Sequence, residues 1–264
     1  KSEEKVADYI LAYSADAVNL PITELAERIG VSEATIVRMC KKIGYRGFHE
    51  LKINLAIETV KPIQVVHERI SENDGIDVVL QKLMDAVKRT LQSTMDVLST
   101  DELKKAVDRL ARARSILFFG LGGSGPVAQD AAHKFMKLGK PVTAYTDSHM
   151  QAMAASLVTP SDAVVAISHT GSSRDVVEAL ALAREKGAST IGISHYARSP
   201  IDKVIDIKLS TSSWETLYRM ESTSSRIAQL AIIDTLFIGV CLRDPDTAVR
   251  NILLTREAIV PKRY

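Results

Sequence analysis

Two stretches rich in glycine and hydroxyls carry the most chemistry in this chain, Gly120-Leu121-Gly122-Gly123-Ser124-Gly125 and Ser168-His169-Thr170-Gly171-Ser172-Ser173. Each follows an apolar run that reads as a strand and precedes a helical stretch. Backbone amides at a helix start attract anions, and glycine lets the anion come close. Ser168, Thr170 and Ser173 can then surround a monoester phosphate, while Gly122, Gly123 and Ser124 from the other loop hold the phosphate or sugar hydroxyls. The first loop also fits G-x-G-x-x-G, and Asp147 lies about 20 residues beyond it, so a dinucleotide is an alternative occupant. A nicotinamide site has no need of the second hydroxyl cluster. The plainest alternative is that both loops are tight strand-to-helix turns.

A second constellation lies near the start. Ile22 to Met39 has the spacing of a helix-turn-helix: Ala26 lets two helices approach, and Gly30 can take the left-handed turn conformation. Leu25, Ile29, Val31, Ile36 and Met39 fall where they pack between the helices, and Ser32 suits the N-cap of the second. That first turn enters the major groove in such motifs, so Ser32, Glu33, Ala34, Thr35 and Arg38 are placed to touch base edges. From Arg38 onward the bases Arg38, Lys41, Lys42, Arg46 and Lys52 outnumber the acids Glu33 and Glu50, which suits a phosphate backbone. Tyr45 or Arg46, in Gly44-Tyr45-Arg46-Gly47-Phe48, can anchor a phosphate after the recognition helix. An ordinary helical hairpin with a solvated basic face would need fewer of these features to agree.

The elements that must hold these residues change character along the chain. Residues 1–58 are helical in pattern and are expected to form a DNA-binding domain, and residues 59–75, with Pro62 and Ser71-Glu72-Asn73-Asp74-Gly75, read as a linker. Residues 76–264 form the second domain, opening on two bracing helices from about Ile76 to Leu98 and from Asp101 to Ala113. Buried-strand runs then recur at Ser115 to Phe119, Pro141 to Tyr145, Ala163 to Ile167, Thr190 to Ile193 and Val204 to Leu209. Between and after them come helical stretches at Val127 to Leu138, Met150 to Leu157, Asp175 to Lys186 and Glu221 to Cys241. The expected fold class is an all-α helix-turn-helix domain followed by an α/β domain, a parallel sheet with helices on both faces.

Of 264 residues 46% are apolar, enough for two domains, and the net charge of +2 neither demands nor forbids a nucleic-acid partner. Cys40 and Cys241 fall in different predicted domains, which suggests neither a disulfide framework nor a cysteine metal site. His133 and His149 lack metal-ligand spacing, so neither a metal nor any other cofactor is expected. No apolar run of about 18 residues stands out, and a cytoplasmic chain without a membrane partner is expected. The chain opens on Lys1 rather than Met, so native residues are expected before it.

With these residues in hand, the second domain resembles the SIS (sugar isomerase) phosphosugar-binding fold, and nearly the whole chain resembles the RpiR family of bacterial regulators. The resemblance is carried by Ser32 to Arg38, Gly44 to Phe48, Gly120 to Ser124, Ile167 to Ser173 and Ser225-Arg226-Ile227-Ala228-Gln229-Leu230-Ala231. It implies that Ser124, Ser168, Thr170 and Ser173 hold the phosphate or sugar. His169 stands where the fold often has another polar residue. Isomerases of this fold need a base, for which Glu221 is the first candidate, with His169 and His195 next; Glu221 also suits a helix cap or a sugar hydroxyl. Joined to a DNA-reading domain, the site is expected to sense rather than to catalyse. A sugar phosphate effector, double-stranded operator DNA and a second copy or more of the chain, as homodimer or homotetramer, are the expected partners; sugar-phosphate isomerisation and dinucleotide sensing are the alternatives.

Overall fold

The computed structural model describes residues 2–59, 70–71, 73–213 and 223–262. The chain divides into two compact units, the first built mainly from residues 1–89 and the second from residues 90–196, 200–213 and 223–264, so the division falls within the helix Ile76–Val97.

The first unit is helical: α1 (Ser2–Ala12), α2 (Ser14–Asn19), α3 (Ile22–Ile29), α4 (Glu33–Lys42) and α5 (Phe48–Thr59). Val6, Ile10, Leu25, Ala26, Ile36, Met39, Cys40, Phe48 and Leu51 form its core, with Ile29 and Val31 packed against it, as the spacing predicts. Gly30 closes α3 at φ 72°, and the Val31 amide reaches back to the Ala26 carbonyl at 2.9 Å. A side chain would be strained at that backbone angle. Two residues later Ser32 caps α4, its hydroxyl accepting from the Thr35 amide at 3.3 Å. Gly44, at φ 98°, ends α4, where the Tyr45 amide donates to the Cys40 carbonyl.

After α6 (Ile76–Val97), which the two units share, the second unit continues with α7 (Thr100–Arg112), β1 (Ile116–Gly120), α8 (Gly125–Phe135), β2 (Val142–Tyr145), α9 (Ser148–Leu157), β3 (Ala163–Ile167), α10 (Arg174–Glu185), β4 (Ser189–His195), β5 (Ile207–Thr211), α11 (Thr223–Cys241) and α12 (Pro245–Glu257). The five strands are parallel in the order β2-β1-β3-β4-β5. Alternate residues feed two cores. Ile116, Phe118, Val165, Ile167, Ile191, Ile193 and Leu209 join residues of α7, α8 and α11 on one face, and Leu117, Phe119, Val164 and Ala166 join residues of α9 and α10 on the other. Helices on both faces explain why the strands read as unbroken apolar runs.

Three expectations needed revision. Val204 lies outside the last strand: Pro200–Lys203 is a 3-10 turn, Asp206 accepts from the Thr190 amide and hydroxyl, and the strand begins at Ile207 and runs to Thr211. α12 was not anticipated, although Asp244 caps it and Pro245 opens it, the usual start signal. α11 contains an 18-residue stretch, Ser224–Cys241, of mean hydropathy 1.4 that meets the length and composition of a membrane span. Its Ala228, Ile232, Ile233, Leu236 and Val240 are buried in the sheet core. Gly239 brings this helix so close to α7 that a Cβ there would lie 2.6 Å from Val107.

Candidate functional site

Every expected DNA-reading residue falls on α4, its N-cap or the turn after it, but their surroundings differ. Ser32, Ala34, Arg38, Lys41, Lys42 and Arg46 are exposed, Glu33 and Tyr45 half-buried. Thr35 is only 5% exposed. Its hydroxyl lies 2.9 Å from that of Ser32 and accepts from the Arg38 guanidinium at 3.1 Å, so it orients those two groups and does not itself present a face to a groove. Its expected contact with a base edge is thus a proposal in which the hydroxyl would have to exchange these neighbours for DNA. The helical spacing of three residues puts Thr35 beside the cap, and capping turns it inward. Arg38 and Lys42 also face Glu3 at 3.9 and 3.2 Å, and Arg46 pairs with Glu50, surface contacts of small energy that DNA phosphates can outcompete.

In the second unit the sheet order brings the two loops together. β1 and β3 are neighbours, with Gly120 in register with Ile167, so the loops that follow them are adjacent at the carboxyl edge. This is the point where the strand order reverses, with β2 on one side and β3 to β5 on the other, and ligands of open parallel sheets bind there. The first loop folds as a 3-10 turn, Gly122–Ser124, leading straight into α8. A Cβ on Gly120 would lie 2.5 Å from the Ser124 carbonyl oxygen, so only glycine lets the loop fold back so tightly; Gly122 adopts φ 53°. In the second loop Gly171, at φ 61°, turns the chain as its amide bonds the Ser168 carbonyl at 3.1 Å, and Ser173 ends the loop as the residue before α10.

The hydroxyls of these loops are differently engaged. Thr170 accepts from the Ser172 amide at 3.2 Å, which holds the turn and leaves its proton to give. Ser124 and Ser173 occupy N-cap positions without making a side-chain cap bond, and Ser168 is buried at 5% exposure. His169, half-buried, stacks edge-on to His195 at 5.7 Å, and the His195 amide donates to the His169 carbonyl, which joins β4 to the loop after β3. Gly123 is half-buried in the first loop. Glu221 lies outside the described residues. Asp147, on which the dinucleotide alternative turns, accepts from the Met150 amide at 3.0 Å and caps α9.

Sequence reasoning missed a buried polar group near this edge. Thr211 and Ser213 at the end of β5 and Gln229 near the start of α11 are at most 3% exposed, and among the described residues the Thr211 and Ser213 hydroxyls and both ends of the Gln229 carboxamide have no hydrogen-bond partner. A glutamine inside the apolar stretch Ile227 to Ile233 was the available signal.

Residues 1–62 match the helix-turn-helix domain of the rpiR family, and residues 109–239 match the SIS domain. Over 258 residues, 98% of this chain and 92% of that protein, it is 40% identical to an HTH-type transcriptional regulator of Caldanaerobacter subterraneus subsp. tengcongensis. It is 38% identical to the HTH-type transcriptional regulator HexR of Pseudomonas aeruginosa over 100% of this chain and 92% of that one. Among solved structures, the Vibrio vulnificus NanR protein complexed with ManNAc-6P superposes with a TM-score of 0.87 at 27% identity, covering 100% of this chain and 94% of NanR.

Proposed function

For a chain that belongs to the RpiR family of helix-turn-helix transcriptional regulators carrying a SIS domain, we propose that a sugar phosphate held between the loops after β1 and β3 sets the affinity for operator DNA. The observation that carries this reading is the meeting of the two hydroxyl-rich loops at the switch point of the sheet. Ser168, Thr170 and Ser173 take the phosphate with the amides at the start of α10, and Ser124 with Gly122 and Gly123 closes on it from the other loop. His169 faces the sugar in this reading, and Glu221, expected from the sequence to join the ligand site, lies outside the described residues. The ligand in NanR, a phosphorylated amino sugar, is of the chemical class this arrangement suits. The use of Asp147 as a helix cap counts against the dinucleotide alternative.

Ser32, Glu33, Ala34 and Arg38 read the major groove of the operator, and Lys41, Lys42, Tyr45 and Arg46 hold its phosphates, in a cytoplasmic homo-oligomer that presents paired recognition helices. No sugar isomerisation is expected. Allosteric couplings are typically about 1–3 kcal/mol, so an effector is expected to change operator affinity roughly 5- to 150-fold. The test is a panel of sugar phosphates and nucleotides scored by thermal shift and by operator binding. A panel that moves neither measurement sinks the sensing reading, and a response to nucleotides alone reassigns the ligand. Lys41→Ala should weaken operator binding and lower the slope of log affinity against log salt by about 0.9, one phosphate contact.

A further inference from the structure

Exposed large apolar side chains gather at the end of the chain: Leu242, Val249, Leu253, Leu254, Ile259 and Val260 are each between 46 and 70% exposed. α12 is anchored to its unit through one side only. Ala248 is buried, Asn251 donates to the Leu138 carbonyl at 3.0 Å, and Ile252 and Thr255 are half-buried. The opposite side carries Asp246, Val249, Leu253 and Arg256, all exposed. Their spacing of three, four and three residues sets them on one stripe of a helix. Among the described residues neither Asp246 nor Arg256 has an ion-pair partner.

The stripe is complementary to itself. A two-fold axis makes residue i of one copy meet residue j of the other, and j meet i. If two α12 helices pack antiparallel about an axis level with residue 251, residues equally far before and after that level face each other. Val249 then meets the partner's Leu253. Asp246, five residues before, meets the partner's Arg256, five residues after, both about 7.5 Å from the axis at a rise of about 1.5 Å per residue. Leu242 and Val260, which flank the helix, stand nine residues to either side of the same centre. A parallel pairing would instead set Asp246 against Asp246 and Arg256 against Arg256.

We propose that α12 is a self-association helix which pairs antiparallel with α12 of a second copy of this chain, with an apolar centre of Val249 and Leu253 closed at each end by an Asp246–Arg256 ion pair. The proposal rests on the homo-oligomeric reading above and names its contact. A helix-turn-helix protein needs such a contact to hold two recognition helices on two half-sites.

Sedimentation velocity of the full chain over a range of concentrations tests it. The unaltered chain is expected to sediment as a dimer or a larger even assembly. Val249→Glu with Leu253→Glu should raise the dissociation constant at least a hundredfold, with the circular dichroism spectrum of the folded chain unchanged because both side chains are exposed. Asp246→Arg and Arg256→Asp should each weaken the assembly about tenfold or more, and the doubly swapped chain should recover it. An unaltered chain that is monomeric overturns both the oligomeric reading and this contact. An assembly that survives the double glutamate change, or a charge swap without recovery, overturns the contact alone.

Discussion

The two ends of one sheet treat polar groups in opposite ways. At the amino end, Asp162 is 3% exposed and fully engaged. Its carboxylate accepts from the Arg114 guanidinium at 3.0 and 3.2 Å, from the Ser115 hydroxyl at 2.6 Å and from the Thr159 amide and hydroxyl at 2.9 and 2.8 Å, while its amide and carbonyl bond Thr159 and Ser189. At the carboxyl edge, Ser124 and Ser173 cap nothing, and Thr211, Ser213 and Gln229 are buried with atoms that bond nothing among the described residues. Unpaired buried polar atoms cost free energy, so a fold retains them where something other than the chain completes them. One end holds the sheet together, and the other leaves polar groups that the proposed effector would complete.

The contrast can be broken first at Asp162. Asp162→Ala strands the groups of Thr159 and Ser115, and the second unit should lose about 2–4 kcal/mol of unfolding free energy in urea melts followed by circular dichroism. A loss below about 0.5 kcal/mol, as for an ordinary surface change, would erase the asymmetry. The pH dependence carries the same sign. Burial alone would raise the Asp162 pKa, but hydrogen bonds from Arg114, Ser115 and Thr159 outweigh it and hold the carboxyl well below the usual range. The folded value is thus below the unfolded value of about 3.9, and the stabilisation is fully present above that pH. It drains away as pH falls below about 4 toward the folded value. Asp162→Asn should flatten that limb of the stability curve.

How much of this was legible depended on the range over which each residue is determined. Gly30 and Ser32 were readable because a left-handed turn and a helix cap are set by residues within one turn of chain, and both sit as the spacing predicts. The two phosphate-type loops were readable one at a time, and placing both on one phosphate assumed an adjacency that the residues alone do not fix: β1 and β3 are neighbours because β2 lies on the outer side of β1, and strand order is a tertiary fact. The burial of Thr35 was not legible because a helical period gives a residue's side of the helix but not which neighbour its hydroxyl will choose. Gln229 was read only as part of a family segment, and its burial was not legible because it depends on the sheet beneath α11.

At the carboxyl edge, the next largest effect is expected from Ser168→Ala. The change should leave the unliganded chain within about 0.5 kcal/mol of its original stability. It should weaken a bound sugar phosphate 10- to 100-fold, the equivalent of about 1.4–2.8 kcal/mol and typical of hydrogen bonds to a charged group. Titration calorimetry with the best ligand from the panel separates the two effects. A variant that unfolds more easily yet binds equally well would make Ser168 a scaffold residue and invert the contrast.

The smallest effect should carry the opposite sign. Gln229→Leu replaces a carboxamide whose ends bond nothing among the described residues with an apolar side chain of similar volume. Removing a buried, unpartnered polar group is neutral or favourable, so the unliganded chain should gain between 0 and about 1 kcal/mol. The same substitution at the amino end, where every oxygen of Asp162 is bonded, would only destabilise. A loss of more than about 1 kcal/mol in Gln229→Leu would mean that ordered water or the chain already satisfies the carboxamide, and the two ends of the sheet would then differ in exposure but not in how their polar groups are completed.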